Sequence, residues 1–244
     1  MTLVATGKLY LVSTPIGNLE DITLRAIEIL KQVDLIAAED TQHSAVLLKH
    51  YGITTPTTSF HAFNLVQKTP GLIQKLLEGK SIALISDAGT PGISDPAYHL
   101  VREAIANHIA IEAIPGATAL IPALIVSGLP ANRFVFEGFL PSKKGRQKRL
   151  QELAREQRTM IIYEAPHRLL KTLNQLLAAF GNRRVVIARE LTKKFEQIYR
   201  GTLEDICRHP EQVVLKGEFV LVIEGKQEGQ ESGERDQSPV DSNQ

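Results

Sequence analysis

The stretch SIALISDAGTPGISDPAYHLVREAIA, residues 81–106, joins an apolar run to an amphipathic segment through a long loop. The apolar run predicts a buried strand, and the segment that follows Pro96 has the apolar spacing of a helix. The loop, residues 86–96, has eleven residues, whereas a strand-to-helix connection usually takes about two to six. Long connections of this kind often carry function. We therefore expect this loop to bind a ligand.

The same alternation extends over the first half of the chain and predicts its fold class. The strand-like runs are LYLVST at 9–14, DLIAAED at 34–40, SIALISD at 81–87 and IAIEAIP at 109–115. Segments with helical spacing separate them, at 22–32, 42–52, 72–79 and from residue 96 onward. Strands that alternate with helices predict an α/β domain, with a mainly parallel sheet and helices on both of its faces. We assign this N-terminal domain to residues 7–130.

The second half of the chain predicts another α/β domain, with a mixed sheet. Five strand candidates follow residue 131, namely RFVFEGFL, RTMIIYEA, RRVVIARE, FEQIYRG and GEFVLVIEG. Two predicted helices, at 146–157 and 166–180, interrupt them. FEQIYRG alternates polar and apolar residues close behind RRVVIARE, which indicates antiparallel pairing. We assign this basic C-terminal domain to residues 131–225, and we expect the polar residues 226–244 to be a disordered tail.

The composition excludes several classes of protein. The chain is 43% hydrophobic and 23% charged, which is typical of a globular protein. Its single cysteine, Cys207, excludes disulfides within the chain and a cysteine-rich zinc site. No pair of histidines has metal-ligand spacing with a carboxylate, so we expect no metal. The N-terminus lacks the pattern of a signal peptide, and the longest apolar run, 119–126, is too short to span a bilayer. We therefore expect a cytoplasmic protein with no membrane contact.

The charges are segregated along the chain. Residues 133–200 contain 16 Lys and Arg but 6 Asp and Glu, a net charge of +10, although the whole chain has a net charge of +1. The remaining residues therefore carry −9. A basic region of this size indicates a surface that faces a polyanion. Solvated helix faces that happen to be basic are the alternative.

Three connections at predicted strand ends have a similar composition. They are TPIGN after the first strand, DAGTPGISDP after the third and PGATAL after the fourth. Within them, Pro91 and Gly92 suit a type II turn, Asp95 suits a helix N-cap, and Gly116 allows a close backbone approach. Each could be turn chemistry alone. Because ligands of open α/β sheets bind beyond the carboxyl ends of the strands, the three together favour a ligand crevice.

The loops suit a ligand without phosphate. Neither a GxGxxG nor a GxxxxGK[ST] motif is present, so the sequence contains no standard pyrophosphate cradle. Asp87 adds a carboxylate, which favours a cationic or hydroxyl-rich ligand. S-adenosylmethionine fits, because it combines a sulfonium cation and ribose hydroxyls with a flat adenine. We assign cofactor binding to these loop residues: Pro15, Gly17, Asp87, Ala88, Gly89, Ile93, Ser94, Gly116, Ala117 and Thr118.

A series of longer motifs carries a family resemblance from about Gly7 to Gly225. STPIGNLEDIT, LIAAEDTQHS, LISDAGTPGISDP, PGATA, GLP, FEGFLP, YEAPHRL, ARELTK and GEFVLVIEG occur in this order. The chain thereby resembles the bacterial ribosomal RNA small subunit methyltransferase I family, in the tetrapyrrole methylase superfamily of class III S-adenosylmethionine-dependent methyltransferases. The resemblance implies a homodimer of two-domain α/β chains with the cofactor in the cleft between the domains. It also implies methylation of the ribose 2′-hydroxyl of cytidine 1402, in the decoding centre of 16S rRNA within the 30S subunit.

Two other functions stay open, because relatives on this fold methylate other substrates. One is a small-molecule methylase that acts on a tetrapyrrole; the basic stretch SKKGRQKR, residues 142–149, disfavours it. The other is a non-catalytic RNA-binding or ribosome-assembly factor; the loop residues Asp87, Gly89 and Gly116 disfavour it. For the favoured RNA substrate, the candidate contacts are Lys143, Lys144, Arg146, Lys148, Arg149 and Arg168.

The sequence departs from the family pattern at three places. Gln42 stands where family members usually have Arg, and residues 61–65, HAFNL, stand where they usually have HEHNE. Many relatives continue after the last strand into a Lys-rich helical extension, where this chain has its polar tail. These changes bear on RNA contacts and the rim of the cleft more than on cofactor binding.

The reaction requires a group that takes the proton of the 2′-hydroxyl, which is a poor nucleophile at neutral pH. The methyl group of a sulfonium is already activated, so the protein mainly aligns the attacking oxygen with it. The candidate carboxylates are Glu39, Asp40, Glu164 and Glu190, and the candidate cations are Arg168, Arg189 and Lys193. For each of them the alternative is an ion pair at a strand end. The sequence does not single out the base.

Overall fold

The computed structural model describes residues 7–227 of the 244-residue chain, in two compact units. The first unit comprises the described residues up to Val126 together with the segment Arg189–Gln197. The second comprises Ser127–Ala188 and the described residues from Ile198 onward. The two predicted α/β domains are confirmed as the fold class. Their boundary at residue 131 stays a prediction. The sequence did not predict that Arg189–Gln197 would group with the first unit.

The first unit contains a parallel sheet. Its strands are β1 Lys8–Val12, β2 Leu35–Ala38, β3 Thr57–Ser59, β4 Ile82–Ile85 and β5 Ala110–Ile114. They lie in the order β3-β2-β4-β1-β5, and every neighbouring pair is parallel. The sequence did not predict β3, because its three residues, Thr-Thr-Ser, are polar and short. The other four strands match the predicted runs.

Helices cover both faces of this sheet, as predicted. They are α1 Leu24–Gln32, α2 Thr41–His50, α3 Leu65–Leu77, α4 Ala97–Ala106 and α5 Leu120–Ser127. One apolar cluster joins α1 and α2 to the sheet face that carries Ile36 and Ile85. A second cluster joins α3 and α4 to the opposite face, which carries Ile82 and Leu84. Successive residues of β4 therefore alternate between two cores, as the period of a strand requires.

Side-chain caps fix where α2 and α4 begin. Asp40 precedes α2, and its Oδ1 accepts hydrogen bonds from the backbone N–H groups of Gln42 (2.7 Å) and His43 (3.2 Å). The predicted N-cap of α4, Asp95, lies one residue too early, because Pro96 occupies the cap position. Asp95 nevertheless accepts the Ala97 N–H at 2.9 Å, so its carboxylate still satisfies the first helical donor.

The second unit contains the predicted mixed sheet. Its strands are β6 Phe134–Phe139, β7 Thr159–Glu164, β8 Arg184–Arg189, β9 Gln197–Thr202 and β10 Phe219–Ile223. They lie in the order β6-β7-β10-β8-β9; β6 and β7 are parallel, whereas β7 and β10 are antiparallel. The helices are α6 Arg146–Leu153, α7 Leu169–Phe180 and α8 Leu203–Arg208. Both α6 and α7 are shorter than predicted. The sequence did not predict α8, which begins with a capping box between Thr202 and Asp205.

Two expectations concern the ends of the chain and membranes. Most of the predicted tail, from residue 228 onward, lies outside the described residues. Within the described part of the chain, none of the helices has the length and apolar character needed to cross a bilayer.

Candidate functional site

The three glycine- and proline-containing loops meet at the carboxyl edge of the first sheet. Thr14, just after β1, forms a two-hydrogen-bond bridge with Gly89, just after β4: the Thr14 N–H donates to Gly89 O (2.9 Å), and the Gly89 N–H donates to Thr14 O (3.0 Å). Thr90 Oγ1 donates to Ala117 O at 3.0 Å, which connects the second loop to the third. Because β1, β4 and β5 are parallel, their ends lie at one edge, as the sequence predicted.

Hydroxyl groups at the strand ends hold these loops together. Ser13 Oγ lies 2.9 Å from Thr90 Oγ1, and Thr14 Oγ1 donates to Ser86 O at 3.1 Å. Ser13, Thr14 and Ser86 are buried, so these bonds are shielded from water. Sequence reasoning missed this group of residues. A Ser or Thr directly follows two of the apolar runs, and this pattern could have indicated them. The prediction considered only the glycine and proline residues of the loops.

Three of the glycines that the sequence singled out have structural reasons of their own. A Cβ on Gly116 would lie 2.7 Å from the Cβ of Ser13, so the close approach at Gly116 is to the end of β1. Gly89 has a φ of +85°, which L-residues rarely adopt, so a side chain is disfavoured there with or without a ligand. Gly92, with a φ of +91°, follows Pro91 in a turn closed by the Ile93 N–H and Thr90 O (3.3 Å). That geometry is the predicted type II turn.

A cavity of about 300 Å³ opens beside these loops, within the first unit. Three predicted cofactor residues, Pro15, Gly17 and Asp87, line it. The rest of the lining comes from the residues after β1 and β4, from the 3₁₀ turn Leu19–Asp21 and from α2: Thr14, Ser86, Leu19, His43, Ser44, Val46 and Leu47. None of the lining residues is Lys or Arg. The other predicted cofactor residues lie in the same loops outside this lining: Ala88, Gly89, Ile93, Ser94, Gly116, Ala117 and Thr118.

Carboxylates gather at the same edge. Asp87 Oδ1 accepts the Asp40 N–H (2.9 Å), and Glu39 Oε2 accepts the Asp87 N–H (3.3 Å). Burial raises the pKa of Glu39, and the negative charges of Asp87 and Asp95 raise it further. The backbone N–H groups of His43 and Gln42 lower the pKa of Asp40. Two predicted catalytic candidates, Glu39 and Asp40, therefore lie together, and their pKa values are shifted in opposite directions.

The segment that departs most from the family pattern, residues 61–65, forms a firmly held loop after β3. Asn64 accepts the His61 N–H (2.9 Å) and donates to Ser59 Oγ (3.1 Å). Asn64 Nδ2 also lies 3.1 Å from His61 Nε2. His61 Nδ1 is buried without a hydrogen-bond partner. Phe63 is 98% exposed, so this loop presents an aromatic ring to solvent.

The segment Arg189–Gln197 contributes two more candidates to the first unit. Lys193 Nζ lies 3.0 Å from Glu190 Oε1. The Lys193 side chain passes over Gly17, where a Cβ would lie 2.4 Å from Lys193 Cγ. Glu190 and Thr192 adopt φ values of +51° and +66°, which are uncommon for residues with a side chain and occur more often at functional sites. Lys193 and Glu190 thus lie beside the first loop.

Arg189 has a structural environment instead. It is 6% exposed, and its Nη1 donates to Phe195 O and to Gln197 Oε1, both at 2.9 Å. These bonds hold the ends of its own segment together. These contacts are structural, and a catalytic role for Arg189 stays a prediction.

Glu164, the remaining candidate carboxylate, lies in the interior of the second unit. Its side chain is 0% exposed, and it contacts Arg168 Nε (3.1 Å) and Arg146 Nη2 (3.8 Å). Thr172 Oγ1 donates to it at 2.5 Å. Arg168 also donates to Leu140 O at 2.7 Å. This buried ion cluster corresponds to the alternative that the sequence left open, an ion pair at a strand end.

The predicted RNA contacts divide into buried and exposed residues. Arg146 is 6% exposed and donates to Gln175 Oε1 (2.7 Å) and Thr172 Oγ1 (2.6 Å), so it does not belong with the surface cations, although the sequence placed it there. Arg149 is engaged by Glu137, with N–O distances of 2.7 and 2.9 Å. Lys143, Lys144 and Lys148 are exposed around the start of α6. Among the described residues, no group of three or more His, Cys, Asp or Glu is placed to hold a metal ion.

Comparison with known families identifies the class of protein to which this fold and these strand-edge loops belong. The family model described as Tetrapyrrole (Corrin/Porphyrin) Methylases matches residues 8–207. A protein of Synechocystis sp. called Ribosomal RNA small subunit methyltransferase I is 57% identical over 221 residues, which cover 90% of this chain and 79% of that protein. The protein of the same name from Haemophilus influenzae is 51% identical over 227 residues, 91% of this chain and 80% of that one. The chain belongs to the tetrapyrrole methylase family, in its branch of ribosomal RNA small subunit methyltransferase I proteins.

Solved structures resemble the chain in fold. The methyltransferase CobJ superposes with a TM-score of 0.66 at 21% identity, over 90% of this chain and 95% of that one. Uroporphyrin-III C-methyltransferase from Thermus thermophilus, complexed with S-adenosyl homocysteine, gives a TM-score of 0.63 at 17% identity, over 89% and 97% of the two chains. Identities this low establish the shared fold alone.

Proposed function

We propose that the protein transfers a methyl group from S-adenosylmethionine to the ribose 2′-hydroxyl of cytidine 1402 in the decoding centre of 16S rRNA. The observation that carries this proposal is the 57% identity, over 90% of the chain, to a protein named for methylation of small-subunit rRNA. The finer assignment, to one cytidine and to its 2′-oxygen, rests on the family resemblance of the motifs. Enzymes of this kind act where ribosomes assemble, so a cytoplasmic location stays part of the proposal.

The cavity of the first unit fits the cofactor in its chemistry. Leu19, Val46 and Leu47 give it an apolar wall, which suits a flat adenine ring. Asp87 and the neighbouring hydroxyls and carbonyls suit a cation and ribose hydroxyls. None of the lining residues is Lys or Arg, and Lys193, which passes over Gly17, is paired with Glu190, so a nucleoside-type cation fits better than a dinucleotide. When bound, S-adenosylmethionine would supply an already activated methyl group.

The remaining work of the protein is to align the 2′-oxygen and to manage its proton. Burial raises the pKa of Glu39, which makes this carboxylate a stronger base than an exposed glutamate and therefore the candidate proton acceptor. Lys193, held by Glu190, is a cation that would stabilise the oxygen as negative charge develops on it. Asp40 is engaged at the start of α2, and Glu164 and Arg168 are engaged with each other. Glu39, Glu190 and Lys193 are therefore the leading candidates.

The RNA would contact the exposed lysines of the second unit. Lys143, Lys144 and Lys148 add positive charge at the start of α6, where the helix dipole is already positive. A phosphate bound there would compensate this unfavourable arrangement. Contacts to phosphate set affinity and position, whereas a splayed base and the shape of the rRNA would select the nucleotide.

The decisive experiment is methyl transfer from radiolabelled S-adenosylmethionine to three substrates: 30S subunits, free 16S rRNA and a tetrapyrrole mixture. We expect label in the rRNA, as 2′-O-methylcytidine at position 1402, with and without EDTA. Label in a tetrapyrrole would favour the small-molecule methylase. Tight binding to 30S subunits without any label would favour the non-catalytic assembly factor.

A further inference from the structure

A second, larger cavity lies in the second unit, and the proposed reaction does not account for it. Its volume is about 650 Å³. It lies where β6 and β7 begin and β10 ends, so it occupies one edge of the mixed sheet. Lys143 and Lys144 follow the end of β6 and therefore lie at the opposite edge. The short helix α6, about 12 Å long by its eight residues, connects the two regions.

The carboxylates that line this cavity are each matched by an arginine. Glu152 pairs with Arg149 (2.9 Å) and Glu156 with Arg158 (2.8 Å). The hydrogen bonds from Arg158 lower the pKa of Glu156 to about 2.

Glu224 is matched in the same way. Arg184 Nε lies 3.0 Å from it and lowers its pKa. Arg158 and Arg184 thus neutralise Glu156 and Glu224 locally, whereas Glu152 shares Arg149 with Glu137.

Two arginines of the lining remain without such a match. Arg133 and Arg155 are exposed, and neither has a carboxylate partner among residues 7–227. Each guanidinium carries five N–H donors and no acceptor. The amide side chains of Asn132 and Gln157 line the same cavity and add further donors. The lining itself carries three arginines and three glutamates and is neutral in sum, but the two guanidiniums without a carboxylate partner leave N–H donors that suit an oxyanion.

The wall of the cavity is fixed in place by the chain around it. A Cβ on Gly225 would lie 1.9 Å from Gln157 O, so the strand end after β10 lies directly against the turn before β7. The Lys226 N–H donates to Glu156 O at 2.7 Å. Beneath the wall, the buried Arg183 donates to the carbonyl oxygens of Glu156 (3.5 Å) and Glu224 (3.4 Å). A rigid donor-rich wall loses little entropy on binding a ligand.

We propose that this cavity binds a phosphate of the RNA backbone through Arg133 and Arg155, as a second RNA contact at the edge opposite Lys143 and Lys144. The inference rests on the proposed function, because that function supplies the RNA. Guanidinium groups bind phosphate oxygens in a bidentate geometry, which favours arginine at such a site. A small phosphorylated molecule carries the same oxyanion, so the experiment has to distinguish it from RNA.

The test compares the parent with the double variant Arg133→Gln, Arg155→Gln in binding to 30S subunits over a range of salt concentrations. We expect at least about tenfold weaker binding at low salt, since hydrogen bonds to charged groups are lost. The slope of log affinity against log salt should shrink by about 0.7–0.9 for each phosphate contact removed. S-adenosylmethionine affinity, melting temperature and the methylated nucleotide should stay unchanged. A matched control, Lys31→Gln with Lys75→Gln, removes two exposed positive charges from helices of the first unit and should keep the parent slope.

Three outcomes would overturn the inference. The first is a double variant with the affinity and salt slope of the parent. The second is a parent that does not bind 30S subunits. The third is thermal stabilisation of the parent, but not of the variant, by pyrophosphate, which would assign the cavity to a small phosphorylated molecule. A parent that binds 30S subunits without methylating them would contradict the proposed function alone, because the binding comparison would still decide this site.

Discussion

Replacing Glu164 by Gln tests whether the buried ion cluster of the second unit is structural or catalytic. The Glu164 side chain is 0% exposed and contacts Arg168 at 3.1 Å and Arg146 at 3.8 Å. Glutamine keeps the shape and one acceptor oxygen but removes the negative charge. The guanidinium of Arg146, which is 7% exposed, then lacks its counter-charge.

The expected loss of stability is large. Breaking a buried ion pair by neutralising one partner costs about 3–5 kcal/mol, and the retained acceptor favours the lower end, about 3 kcal/mol. In a chain of this size, 1 kcal/mol shifts the melting temperature by about 2–4 °C, so the variant should melt about 6–12 °C below the parent. Urea unfolding and calorimetry measure both quantities.

Two further variants serve as controls for Glu164→Gln. Glu152→Gln removes a carboxylate that is 47% exposed and paired with Arg149, so it should cost at most about 1 kcal/mol. The double variant Glu164→Leu, Arg146→Met replaces both charges by apolar groups and should recover part of the lost stability. The reasoning would be refuted if Glu164→Gln kept the parent's melting temperature and lost methyl transfer, because Glu164 would then be catalytic.

Four other predictions follow from the first unit, the surface lysines and the family. Burial raises the folded-state pKa of Glu39 above its usual 4.5, so the parent loses stability as pH rises from about 4.5 through that pKa. Glu39→Gln should abolish this loss, and its melting temperature should rise relative to the parent as the pH is raised above about 4.5. Gly116→Ala would place a Cβ 2.7 Å from Ser13 Cβ, so it should cost about 1–3 kcal/mol even without cofactor, and an unchanged melting temperature would contradict the packing. The double variant Lys143→Glu, Lys144→Glu should flatten the salt dependence of 30S binding without changing S-adenosylmethionine affinity. A slope of log affinity against log salt equal to the parent's would mean that these lysines are solvated residues at the start of α6 that bind no phosphate. Sedimentation at micromolar concentration should give twice the 26.9 kDa mass of the chain, and a value near 26.9 kDa would exclude the proposed dimer.

The sequence determined the features that depend on neighbouring residues. The period of apolar residues distinguished strands from helices, so the parallel sheet with helices on both faces was predictable. Turn chemistry acts over three or four residues, which is why Pro91 and Gly92 predicted their turn correctly. The meeting of the three loops at one edge also followed, because parallel strands end on the same side.

Only the tertiary structure decided which partner each side chain has. Arg146 and Lys144 belong to one basic stretch, yet Arg146 is buried against Glu164 and Thr172 while Lys144 is exposed. Gly17 meets Lys193 from a segment far along the chain. Partners so distant in sequence meet only when the whole chain has folded, and the choice among many possible charge pairs depends on burial and distance. A one-dimensional pattern records residue types and spacing, so it predicted the layers and the loop edge but could not separate structural charges from those free to bind a ligand.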